Sequence, residues 1–79
     1  MAVRDEQTHE FEAKIRWTGA NQWMIETTLP LYGECYKYWL PKKCTVDHNE
    51  SDSEGNWMFK VTDWWHRKVM LGDFQVEDR

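Results

Sequence analysis

Only two cysteines, two prolines and four glycines occur in this chain of 79 residues. Two thiols are too few for the disulfide framework that staples small secreted domains, and no Cys-x-x-Cys pair marks a zinc site. Zinc would have to gather Cys35, Cys44 and the scattered His9, His48 and His66. A bridge between Cys35 and Cys44 across Pro41 is conceivable, but free buried thiols fit the chain better. Residues 1–16 carry acids and arginines throughout and do not resemble a secretory signal, so the cytoplasm is the expected compartment. No run approaches eighteen apolar residues, which excludes a membrane-spanning helix.

Catalytic signatures are equally scarce. There is no glycine-rich phosphate loop, no nucleophile elbow and no His-Glu-x-x-His. Asp63 and His66 stand three apart and could poise a base, but a surface pair on one helical turn explains them as well. The run Asp47–Asp52 faintly resembles a calcium loop, yet the sixth place holds Asp52 instead of Gly and the twelfth holds Met58 instead of Glu. No cofactor, no metal and no enzyme activity are expected.

What is present is aromatic. Six Trp, three Tyr and three Phe sit in a chain that is 41% apolar, which argues for a folded domain. Residues 1–79 make one small domain, with 1–9 and 77–79 expected to fray. Such a domain buries only ~60–65% of its unfolded surface, so its net stability should be about 3–5 kcal/mol.

Charge is segregated within a net charge of −4. Residues 13–46 are mildly basic, with Lys14, Arg16, Lys37, Lys42 and Lys43 against Glu26 and Glu34. Residues 47–55 carry Asp47, Glu50, Asp52 and Glu54 and no Lys or Arg, and both ends are acidic. Net acidity disfavours non-specific duplex DNA binding but leaves room for a local basic patch.

Strict alternation over Phe11, Ala13, Ile15 and Trp17 predicts a half-buried strand, and Trp23, Ile25, Thr27 and Leu29 predict its hairpin partner up to Pro30. Further strands are expected at Glu34–Leu40, Cys44–Val46, Trp57–Val61 and Phe74–Val76, with a polar loop from His48 to Asn56. The period changes after Thr62, a candidate N-cap. Asp63 and a C′ Gly72 then bound a short helix near 63–71, with continued strand through Trp64-Trp65 as the alternative. Five to six short strands and one helix make a mainly β fold, either a small antiparallel barrel of the SH3-like or OB-like kind or a curled sheet. The predicted core comprises Phe11, Ile15, Trp17, Trp23, Ile25, Trp57, Phe59 and Val61.

Tyr38-Trp39-Leu40-Pro41-Lys42 ends an aromatic strand, and Thr62-Asp63-Trp64-Trp65-His66-Arg67-Lys68 follows a later one. This order resembles a loose group of small proteins from phages and mobile elements. In those, a strand ends in Trp-Leu-Pro-Lys-Ser and a second leads into a Pro-Glu-Trp turn followed by Lys and Gly. The likeness spans roughly Phe11 to Gly72. Lys43 replaces the usual Ser, Cys44 the usual Gln, and Thr62 the Pro. The resemblance implies a small β-rich accessory protein and brings no catalytic residues with it.

The aromatics exceed what a core of this size needs, and alternation puts Trp39 on the face opposite Tyr36, Tyr38 and Leu40. Adjacent Trp64 and Trp65 cannot both point fully inward. Lys37, Lys42, Lys43, Arg67 and Lys68 flank these residues. The eight together form the candidate partner-binding set, although a second minor core under the terminal arms accounts for the tryptophans equally well. As a binding surface, the set fits a protein–protein module, an inhibitor or accessory factor, that works through an exposed Trp/Tyr patch. The alternative is single-stranded nucleic-acid binding, with indoles as stacking platforms and Lys/Arg along the phosphates. The sequence is silent on oligomeric state.

Overall fold

The computed structural model describes residues 7–52 and 54–76. Five antiparallel strands form one curled, unclosed sheet: β1 Thr8–Thr18, β2 Gln22–Thr27, β3 Lys37–Pro41, β4 Thr45–Glu50 and β5 Asn56–Thr62, in the order β3-β2-β1-β5-β4. A 3-10 turn at Lys42–Cys44 joins β3 to β4, and helix α1, Asp63–Met70, closes the chain's regular structure. Of the two expected architectures, the open curled sheet is the one formed. Among the described residues, no helix is long and apolar enough to cross a membrane.

One sheet face builds the core. Ala13, Ile25, Tyr38, Leu40, Phe59 and Val61 are fully buried there, with Trp23 at 8% exposure and Phe11, Ile15 and Trp57 packed at the margin. The helix covers this face through Trp65 and Val69, both fully buried. Thr62 caps α1, its Oγ1 accepting from the Trp65 N–H at 3.3 Å, while Asp63 sits in the first turn and Arg67 and Lys68 in the last. The helix ends in a Schellman motif. Gly72, at φ 95°, donates to the Val69 carbonyl and Asp73 to that of Lys68, both at 2.9 Å.

Several expectations are corrected. Trp17 is not in the core. A β-bulge between Ile15 and Trp17 interrupts the register, so that Ile15 faces Ile25 but Trp17 faces Met24, and the indole emerges on the outer face at 48% exposure. The strand expected at Glu34–Leu40 begins only at Lys37, and Tyr36 is exposed instead of sharing the Tyr38 face. The loop expected from His48 is strand as far as Glu50, paired through His48 with Phe59 and through Glu50 with Trp57. Thr8 and His9, expected to fray, pair with Thr62 and Val61. The Gln7 carbonyl of the same arm accepts from the Asp63 N–H at 3.2 Å, and residues 1–6 and 77–79 lie outside the described residues.

The last expected strand is reduced to a strap along the open edge of β3. Trp39 N–H donates to the Phe74 carbonyl at 2.7 Å, Val76 N–H to the Lys37 carbonyl at 3.1 Å, and Gln75 bridges Tyr38. Phe74 adopts φ 66°, and its ring meets both Trp64 and Trp65. The strap therefore ties helix to sheet edge.

Candidate interaction surface

The surface is built on the outer face of β1, β2 and β3, with the helix on the opposite side. Because Met24 is the cross-strand partner of both Trp17 and Trp39, three large apolar side chains line up across three neighbouring strands. The two indoles meet edge to face, their centroids 5.8 Å apart at 87°. That geometry suits aromatic quadrupoles. Trp39 is clamped through its backbone. Its N–H is held by Phe74, and its carbonyl accepts from Trp65 Nε1 at 3.1 Å. The half-buried Trp39 lies on the face opposite Tyr38 and Leu40, as strand alternation predicts. Trp17, the most exposed member of the stripe, is not predicted there, because only the bulge turns it outward.

The polar surroundings are of mixed sign. Arg16 Nε donates to Glu26 Oε1 at 2.7 Å beside the stripe, and Lys37 lies on the same outer face as Trp39. At the turn end of the hairpin, Ala20, Asn21, Gln22, Pro41, Lys42 and Lys43 line a depression of about 380 Å³. Lys43 is exposed there. Lys42 reaches toward the core side, with its ammonium 5.3 Å from the Trp23 ring centre.

The remaining predicted residues do not join this stripe. Trp65 is fully buried, stacked on Phe11 at 5.8 Å and edge-on to Tyr38 at 6.1 Å. Trp64 alone of that pair reaches solvent, at 50% exposure, with Lys68 Nζ 5.6 Å over its ring and Phe74 at its edge. Arg67 pairs with Asp63 at 2.8 Å. The eight candidates therefore divide among the outer face, the hairpin end, the helix and the core.

Other groups singled out above have local work. Asp52 accepts from the Glu54 N–H, the Asn56 N–H and Asn56 Nδ2, and these bonds, that of the Asn56 side chain first, hold its carboxyl below the usual range. It closes a turn. His66 does not bond Asp63, which instead accepts from His9 Nε2 at 2.8 Å. Cys44 is buried, and burial pushes its thiol up. Cys35 is half-buried and donates to the Lys37 carbonyl at 3.3 Å. Among the described residues, no group of three or more His, Cys, Asp or Glu side chains is arranged to hold a metal ion.

No family model, no curated protein and no solved structure matches the chain.

Proposed function

We propose that this protein is a non-enzymatic binding module whose partner is another protein, engaged through the outer-face stripe of Trp17, Met24 and Trp39. The carrying observation is the edge-to-face pair of Trp17 and Trp39, held by a bulge on one side and by two backbone hydrogen bonds on the other. Wet apolar area forgoes about 25 cal/mol per Å², which a partner's surface recovers. Rigid indoles also lose little entropy on binding, and a rim carrying both Arg16 and Glu26 suits a protein better than a polyanion. The likeness of Tyr38–Lys42 to small phage and mobile-element proteins supports an inhibitor or accessory role. Free thiols at Cys35 and Cys44 support work in the reducing cytoplasm.

One observation favours the second reading, single-stranded nucleic acid. Lys42 and Lys43 line the depression beside Gln22 and Pro41, next to the aromatic stripe.

Affinity capture from lysate, with and without nuclease, tests both. Wild-type chain is expected to retain a defined protein that survives nuclease, and Trp17→Ser and Trp39→Ser chains are expected to lose it. Retention that vanishes with nuclease and with Lys42→Glu or Lys43→Glu selects the nucleic-acid reading. Equal retention by wild type and both Trp variants overturns the assignment of this surface.

A further inference from the structure

The start of β1 and the start of α1 meet in a polar cluster away from the aromatic stripe. His9 and His66 stack ring on ring, with centroids 3.9 Å apart and planes 10° from parallel. His9 Nε2 donates to Asp63 Oδ1 at 2.8 Å, and Arg67 Nε donates to Oδ2 of the same carboxylate at 2.8 Å. Backbone bonds seal the junction. Asp63 N–H donates to the Gln7 carbonyl at 3.2 Å, and Thr8 and His9 form the end rungs of the ladder opposite Thr62 and Val61.

We propose that His9 and His66 form an acid-sensitive latch, which holds the first residues of β1 against α1 at neutral pH and releases them when both imidazoles carry a proton.

Charge count within a fixed geometry decides the response to acid. Asp63 already accepts from His9, so one imidazolium is accommodated. A second would set two positive rings face to face at 3.9 Å, with the Arg67 guanidinium adding a third positive group around a single carboxylate. Among the described residues, no neighbouring element supplies a second anion. β5 offers Val61 and Thr62 at this junction, and the 3-10 turn offers the Cys44 thiol, kept protonated by burial. Glu10 and Lys60 stand across from one another on the other face of the sheet, 3.8 Å apart. The side chains of His9 and Asp63 are only 32% and 28% exposed, so solvent screens the pair incompletely.

The titration behaviour agrees in sign. Burial, then the charge of His9, holds His66 below its ordinary value, while the hydrogen bond from His9 holds Asp63 low and ionised. The folded chain thus takes up the His66 proton less readily than the unfolded chain. The latch's contribution is complete above the unfolded histidine value of about 6.5 and is lost as pH falls through the lower folded value. Release is local because only the ladder's terminal rungs and one helix-start bond must open.

Amide exchange by NMR on the full chain tests this. Protection at His9, Val61 and Asp63, the amides that close this end of the ladder, corrected for intrinsic rates, is expected to fall at least about tenfold between pH 7.5 and pH 5, while Ile25 and Phe59 hold. In His66→Phe, which keeps a stacked ring that cannot protonate, the profile is expected to be flat. Titration of the His66 Cε1 proton in the wild type needs no variant, and its midpoint is expected below about 6.5. A midpoint at or above that value, protection in the wild type that is independent of pH, or an equal fall in His66→Phe overturns the latch.

Discussion

The indole of Trp17 lies over the backbone of Gly19. A Cβ added at Gly19 would meet Trp17 Cη2 at 2.5 Å and Cζ3 at 2.6 Å, closer than carbon atoms approach. Gly19 is therefore present for the space it leaves, and its N–H closes the hairpin turn onto the Gln22 carbonyl at 2.8 Å. Gly19→Ala should push the indole off Trp39 while leaving the core intact. The expected result is a changed exciton signal in the far-ultraviolet circular dichroism near the indole bands. The thermal midpoint should stay within a few degrees, since exposed-site changes usually cost under about 0.5 kcal/mol. An unchanged indole signal would show that Trp17 does not rest where the packing puts it.

Trp64 and Trp65 should separate sharply under mutation. Trp65→Ala empties a fully buried site flanked by Phe11, Tyr38 and Phe74, at an expected cost of about 3–5 kcal/mol, comparable with the whole stability of so small a domain. Trp64→Ala removes a half-exposed ring and should cost about 1 kcal/mol or less. Urea denaturation of the two variants side by side measures the contrast, and equal losses would contradict the burial of Trp65.

Thr62 ends β5 and caps α1 in the same residue. Thr62→Ala should therefore cost about 1 kcal/mol, with Thr62→Ser recovering most of it. Denaturation midpoints of the three chains are the measurement. A neutral Thr62→Ala would mean that packing through Trp65 and Val69 alone holds the helix start.

Tyr38 governs behaviour in base. Its hydroxyl donates to the Cys35 carbonyl at 2.6 Å and accepts from the Tyr32 N–H at 3.2 Å. Burial, then the neighbouring Cys35, pushes the phenol up to about 12. A folded value above the unfolded one, about 10, gives stability that is complete below pH 10 and lost as pH rises through 12. Unfolding midpoints should therefore drop steeply above pH 10. Tyr38→Phe should flatten that drop while costing about 1–3 kcal/mol at neutral pH through two unsatisfied backbone groups.

The sequence made the fold class legible because buried strands keep a period of two. Phe11, Ala13 and Ile15, then Trp23 and Ile25, then Phe59 and Val61 all face the helix. The helix was legible from its two ends, Thr62 and Gly72. Three features were not. The bulge at Arg16 leaves the local alternation undisturbed and arises only from pairing with β2, so alternation predicts the wrong face for Trp17. β4 is exposed from Val46 to Glu50 and shows no apolar alternation, so its second half, His48–Glu50, reads as loop in sequence. The His9–His66 stack joins residues from the two ends of the chain, which no local pattern can announce. On the outer face, alternation alone predicts Trp39, whereas its neighbours Trp17 and Met24 require the register.

The strap of Phe74 to Val76 has a consequence for self-assembly. A sheet with open sides is a template on which further chains can add as strands, and each end of this one is treated differently. At β4, a register shift between Thr45 and Asp47 and the capture of the His48 N–H by its neighbour's Asp47 carboxylate, at 2.9 Å, spoil the docking row. At β3 the strap itself occupies the row by taking the Trp39 N–H and filling the Lys37 carbonyl. That stopper is three residues long and hinges on the left-handed backbone of Phe74. Lifting it would uncover main-chain groups directly beside the half-buried Trp39 indole, where one hydrophobic and one hydrogen-bonding invitation coincide. The few residues after Gly72 thus do for this molecule what ring closure does for a barrel: they keep a growing edge finite.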